Sequence, residues 1–256
     1  MQAQDIMKPP KRVGLDEFAT RIRALLREED RVIVVEEDNR FLGIITRRDA
    51  MIVTSTKSNL RARDIMSQPL VTGCLDEDVH AIGQKMIDKD VSFIPIMKDT
   101  RLVGVIHADE VIQAVHHPTS KKVHQIMTTK VVSCDHTEDI TKVWNLMEFH
   151  NFTGLPLIEE ASTSTRRYKK LVGFITRKDI LKTGEVRPGV DRQRFTNPPP
   201  VSKIMNRTPV YMRPDDSVDS CVELFHTNQI GRVPVVKNGF ELVGIVDRED
   251  ILRLFL

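Results

Sequence analysis

Apolar positions at helical spacing, followed by two β-branched runs, recur four times along this chain. In the last quarter Val218, Cys221, Val222 and Phe225 fall at i, i+3, i+4 and i+7, one face of an amphipathic helix. Asp215, Asp216 and Ser217 precede it and can cap its first N–H groups. Arg232-Val-Pro-Val-Val236 then predicts a buried strand, Asn238-Gly239 a tight turn, and Leu242-Val-Gly-Ile-Val246 the partner strand. Asp247 starts a closing helix that runs from Arg248 to Leu256.

The same order appears three more times. The third copy puts Ile140, Val143, Trp144 and Met147 on its helix face, with strands Gly154 to Ile158 and Leu171 to Ile175. The second uses Val79, Ile82 and Met86, then Phe93 to Met97 and Leu102 to Ile106. The first uses Phe18, Ile22 and Leu25, then Arg31 to Val35 and Phe41 to Ile45. Each copy opens on Ile-Met (Ile6-Met7, Ile65-Met66, Ile126-Met127, Ile204-Met205), at a period of about 60 to 80 residues. Each ends on a glycine-led strand that runs into a polar helix start: Gly43 to Asp49, Gly104 to Glu110, Gly173 to Asp179 and Gly244 to Asp250.

The predicted class is α+β, with an α/β-like unit of strand, helix, strand, strand and helix. The repeats occupy residues 1–56, 57–117, 118–184 and 200–256. A unit of this size leaves one sheet face bare, so copy one is expected to pair with two and copy three with four. Two irregular stretches interrupt the second pair: 159–170, and 184–200 ending in three prolines, which hold it extended.

Four copies fill nearly all 256 residues and leave no room for a separate catalytic domain. A net charge of +2 gives no electrostatic case for nucleic acid or membrane. No apolar run approaches the roughly 18 residues of a membrane span, so a cytoplasmic protein is expected. Cys74, Cys134 and Cys221 are widely spaced and odd in number; they predict buried or half-buried free thiols, not a disulfide framework or a metal site. Trp144 and the repeated methionines are read as core.

Chemistry concentrates at the strand-to-helix entrances. Thr46-x-x-Asp49 and Thr176-x-x-Asp179 stand where unpaired N–H groups and a partial positive charge suit a phosphate. A fixed carboxylate there can accept from both hydroxyls of a ribose. Arg47, Arg48 and Arg177 add cations beside the same ends. The pattern is also close to a capping box, whose sole task is to start a helix, and one Thr-Asp pair can serve both ends. Copy four keeps Asp250 but has Asp247 for threonine, a second carboxylate that repels phosphate. Copy two has His107 and Glu110 and fits least.

These motifs resemble the CBS (cystathionine β-synthase) domain, two of which form a Bateman module. Four in one chain resemble the γ subunit of AMP-activated protein kinase and stand-alone archaeal CBS proteins. The resemblance spans essentially the whole chain. It implies adenosine nucleotides bound in clefts between paired domains, with Thr46, Asp49, Thr176 and Asp179 on ribose and phosphate. It implies a phosphate-reading arginine two residues before the strand proline. Arg232 fits that position in copy four; Arg31 fits it in copy one, where the proline is lost. Thr72 and Ser133 are candidates for the adenine side.

The expected function is a non-catalytic sensor that binds AMP, ADP or ATP and passes on a conformational signal, without catalytic residues, metal or required cofactor. An S-adenosylmethionine-type nucleoside is the alternative ligand. A nucleic-acid-associated regulator is the alternative class, carried by basic clusters at 166–170 and 187–194; nucleic acid is not the expected partner. A homodimer or a regulated partner protein is left open.

Overall fold

The computed structural model describes residues 1–28, 31–53, 58–183 and 199–256. Residues 187–194, one of the two basic clusters, and most of the proline-ended stretch at 184–200 lie outside them.

Copy one contains β1 (Lys11–Val13), α2 (Ala19–Arg27), the hairpin β2 (Val32–Glu37) and β3 (Arg40–Thr46), and α3 (Arg47–Ala50), after a one-turn α1 (Ala3–Ile6). Copy two begins with a one-turn α4 (Ala62–Ile65). It continues through β4 (Gly73–Cys74), α5 (Val79–Lys89), β5 (Phe93–Lys98), β6 (Arg101–His107) and α6 (Ala108–Val115). Copy three has β7 (Cys134–Asp135), α7 (Ile140–Phe149), β8 (Gly154–Ser162), β9 (Arg167–Thr176) and α8 (Arg177–Thr183). Copy four has α9 (Val218–Asn228), β10 (Arg232–Val236), β11 (Leu242–Asp247) and α10 (Arg248–Phe255).

Each hairpin is antiparallel, and β1, β4 and β7 add in parallel to its first strand. In copy four that first strand shrinks to one bridge, Met212 to Val235. The helices form as their patterning predicts. Val79, Ile82 and Met86, Ile140, Val143 and Met147, and Val218, Cys221 and Phe225 are all buried, as is Trp144. Ser217 caps α9 by accepting from Ser220 N at 3.0 Å.

The Ile-Met segments pack somewhere unexpected. Each lies against the other repeat of its pair, not its own. Lys8, next to Met7, bridges Val105 of copy two, while Ser67, next to Met66, bridges Ile44 of copy one. Thr128 bridges Ile245 of copy four, and Asn206 bridges Phe174 of copy three. The methionines explain the glycines. A Cβ on Gly104 would meet the Met7 side chain at 2.5 Å, and one on Gly244 would meet Met127 at 2.4 Å. A Cβ on Gly43 would lie 2.8 Å from the Ser67 carbonyl, a backbone atom that cannot swing aside. Reciprocal exchange makes copies one and two, and three and four, mutually dependent.

Two further cores close a ring of four repeats. Ile22, Leu26 and Met51 of copy one share a core with Trp144, Met147, Ile180 and Leu181 of copy three. Ile82, Met86 and Val111 of copy two share another with Cys221, Phe225, Ile251 and Phe255 of copy four. A smaller cluster, Val32, Val34 and Ile44 with Leu102 and Val105, seals the sheets of copies one and two.

Four expectations are corrected. Phe18 is the N-cap of α2 in extended conformation, so it falls outside the helix. It is exposed beneath the Arg61 guanidinium, 3.7 Å from the ring centre. The buried face of α2 is Ala19, Ile22, Arg23 and Leu26, not Phe18, Ile22 and Leu25. Arg31 is not the counterpart of Arg232. Val32 stands opposite Thr46, whereas Arg232 stands opposite Asp247, so the hairpin register shifts Arg31 one residue earlier. Cys74 is exposed, although Cys134 and Cys221 are buried and burial pushes their thiols up to about 11 and about 12.

Candidate functional site

At all four entrances a strand end passes directly into a helix, and a carboxylate three residues on turns back to the strand. In copy one Asp49 Oδ2 accepts from Thr46 N at 2.7 Å and from Thr46 Oγ1 at 2.7 Å. In copy three Asp179 Oδ2 accepts from Thr176 N at 2.9 Å and Thr176 Oγ1 at 2.6 Å, and Asp179 N donates to Thr176 Oγ1 at 3.2 Å. Both carboxylates therefore help to start helices. Both are half-buried, and among the described residues neither Oδ1 has a hydrogen bond. Capping uses one oxygen and leaves the other open. The helix behind Thr46 is a single turn, too short to add much of a macrodipole.

The arginines that follow the threonines do something other than wait for phosphate. Arg177 is 5% exposed. It donates to Phe152 O at 2.8 Å, Met147 O at 2.9 Å and Glu148 Oε1 at 2.6 Å, holding the carbonyl end of α7. Burial lowers its pKa and Glu148 opposes that shift. Arg47 likewise donates to Leu26 O at 2.9 Å at the end of α2. Arg48 reaches Glu148 across the ring at 3.0 Å, so one carboxylate serves both copies one and three. Arg47 and Arg177 thus act as helix clamps on carbonyls of their own repeats.

Arg232 reaches across the pair instead. Its Nη1 donates to Gly154 O of copy three at 3.4 Å, and its guanidinium lies 3.9 Å from the centre of the Phe152 ring. Gly154 pairs directly with Thr176. An arginine of copy four therefore reaches the entrance of copy three across the pair. Asp247 holds its other end, at 2.9 Å. In copy two Phe93 takes the place of Arg232, opposite His107, and packs with the apolar seal of the first pair. Among the described residues, copy two thus offers copy one no counterpart of Arg232, a difference the Thr-x-x-Asp motif does not show.

Thr72 and Ser133 flank β4 and β7. The Thr72 carbonyl accepts from Lys85 at 3.2 Å and Ser133 Oγ from Lys169 at 3.3 Å. Neither is brought to the Thr-x-x-Asp residues by a described contact. Arg31 pairs with Asp109 of copy two. Two of the four cations of the first basic cluster are neutralised: Arg166 grips Glu241 with two bonds of 2.6 Å, and Lys170 grips Glu159 at 2.6 Å.

The entrances of copies four and two carry shifted groups. Burial, and then the charge of Asp247, push the Asp250 carboxyl up to about 7 from an ordinary 3.8. Between those values the folded chain keeps a proton that the unfolded chain has lost, so this group's contribution to stability falls as pH rises. His107, lowered by burial to about 4 from 6.5, works in the opposite direction. Comparison with Asp250→Asn isolates the first effect. From pH 4 to pH 7 the parent is expected to lose stability relative to the variant in urea unfolding, and a difference that stays flat across that range would refute the assignment.

A family model for the CBS domain matches residues 3–54, 62–117, 123–185 and 201–256. The chain belongs to the CBS domain family. Among relatives of this CBS protein, the uncharacterized protein MJ1225 of Methanocaldococcus jannaschii is 25% identical over 255 residues, covering 87% of this chain and 86% of that one. The crystal structure of MJ1225, which has been proposed as an archaeal homologue of g-AMPK, covers 100% of both chains with a TM-score of 0.85 and 22% identity. An uncharacterized conserved protein from Pyrococcus horikoshii covers 100% of both chains with a TM-score of 0.66 and 16% identity. At these identities the two structures share the fold with the CBS protein. No helix among its described residues is long and apolar enough to cross a membrane.

Proposed function

We propose that this CBS protein is a non-catalytic regulator that binds an adenosine nucleotide, first of all at the copy-three entrance. The observation that carries this reading is the open Oδ1 of Asp179, together with an arginine of the paired repeat that reaches Gly154, the strand partner of Thr176. A ribose diol can donate to the open carboxylate, and a phosphate can take the Arg232 guanidinium in exchange for Asp247. Copy one has the carboxylate without that arginine, and it ranks second. Copies two and four lack the threonine.

The binding that matters for regulation is binding that favours one arrangement of the ring over another. Arg232 of copy four meets Gly154 of copy three at this entrance, so a ligand there would touch both halves of one module. Calorimetric titration of the full chain with AMP, ADP, ATP and adenosine tests this. AMP is expected to bind and adenosine to bind more weakly. One observation favours an S-adenosylmethionine-type ligand instead: Asp247 already neutralises Arg232, so the cleft does not demand an anion. Tighter binding of S-adenosylmethionine than of AMP would decide for that reading.

A further inference from the structure

Four methionines hold corresponding places, one after the isoleucine that opens each repeat, and each sets its side chain on a glycine of the other repeat of its pair. A Cβ on Gly104 would lie 2.5 Å from Met7 Sδ, one on Gly173 2.6 Å from Met205 Sδ, and one on Gly43 3.3 Å from Met66 Sδ. One on Gly244 would run into Met127 Sδ. The bare Cα is thus the seat of a thioether, and each pair of repeats is clasped twice. Next to each methionine the two repeats exchange a closed pair of backbone hydrogen bonds. Lys8 N donates to Val105 O and Val105 N to Lys8 O, both at 2.9 Å. Ser67 with Ile44, Thr128 with Ile245, and Asn206 with Phe174 do the same.

Exposure separates these sulfurs from the methionines of the cores. Met51, Met86 and Met147 are 1%, 2% and 1% exposed. Met7, Met66 and Met127 are half-buried, and Met205 is buried. Copies one and two therefore have both of their clasps within reach of solvent, and copies three and four have one. A thioether packs well on an apolar Cα, but its sulfoxide is polar. An oxygen turned towards Gly104 would find the N–H groups of Lys8 and Val105 already spent on each other, and an unpaired polar atom there is costly. An oxygen turned to water draws the side chain off its glycine.

We propose that Met7, Met66 and Met127 are modification sites at which a peroxide oxidises the thioether and loosens the pairing of repeats, the first pair most. A sulfur lone pair attacks one oxygen of hydrogen peroxide. An S–O bond forms as the O–O bond breaks, and the proton of the transferred hydroxyl passes to the departing hydroxide, which leaves as water. Sulfur gives up two electrons and the peroxide accepts them. Methionine sulfoxide reductases, one for each epimer, reverse the step. The modification uses neither Asp179 nor Arg232, so it stands or falls apart from the nucleotide reading.

The test treats the full chain with hydrogen peroxide, locates sulfoxides by peptide mass spectrometry and follows Tm. Every sample carries Cys74→Ser, which takes the exposed thiol out of the reaction. Sulfoxide is expected at Met7, Met66 and Met127 well before Met51, Met86 and Met147. As it forms, Tm is expected to fall by at least about 5 °C, and the two reductases to restore it. Leucine fills a similar volume without an oxidisable sulfur. The triple variant Met7→Leu, Met66→Leu, Met127→Leu is expected to keep its Tm in peroxide. Met97→Leu removes a half-buried methionine that sits on none of these glycines and is expected to lose as much Tm as the parent. Full sulfoxide at the three sites with an unchanged Tm overturns the proposal. So does a triple variant that loses as much as the parent, or oxidation of the core methionines at the same rate. If the triple variant does not fold, Met7→Leu and Met66→Leu are each compared with Met97→Leu, and equal losses in all three overturn it.

Discussion

Replacing Asp179 by alanine is expected to weaken AMP binding about 100-fold, because charge-assisted hydrogen bonds to a ribose diol contribute about 1.5–3 kcal/mol. The structure makes the experiment discriminating. Asp179 Oδ2 is already committed to Thr176, and a pure capping role predicts a loss of about 1 kcal/mol in stability with no change in AMP affinity. Calorimetry and urea unfolding on the same preparation separate the two. Asp49→Ala is expected to have the smaller effect on binding, since copy two carries Phe93 where copy four carries Arg232. Equal AMP affinity for parent and Asp179→Ala would leave the carboxylate as a helix starter only.

Arg177→Met should be the most damaging single change to stability, at about 3–5 kcal/mol by urea unfolding. It removes a buried charge that satisfies two carbonyls and Glu148 at once. The orphaned groups lie at the contact between copies one and three, because Glu148 also receives Arg48. Arg48→Ala, which removes a half-exposed partner, is expected to cost under about 1 kcal/mol and serves as the control. If Arg177→Met were as stable as the parent but bound AMP weakly, the side chain would be a ligand and not a clamp.

The contrast between Arg177 and Arg232 shows where legibility ended. Both were phosphate candidates by position. The burial of one and the cross-pair reach of the other depend on a neighbour's backbone, at Phe152 and at Gly154, which spacing along the chain does not reveal. Arg31 failed differently: its match to Arg232 was a match of letters, and the strand pairing moved it one residue. Asp109 belongs to no motif along the chain, because the copy-two entrance departs from Thr-x-x-Asp. A signal was present in the sequence, since Asp109 is acidic where copies one and three carry Arg48 and Lys178. Only the convergence of Arg31 and Arg248 on Asp109 gives that acid a meaning.

By itself the sequence determined the fourfold repeat, the order of elements within it, most of each helix's buried face and the Thr-x-x-Asp turn. Those features rest on periodicity, turn residues and caps, which act over a few residues. The tertiary structure decided which repeat receives each Ile-Met segment, why glycine precedes each strand end, and which arginines are left for an anion. Those outcomes turn on contacts between groups tens to more than a hundred residues apart, where burial and register choose among partners that look alike along the chain.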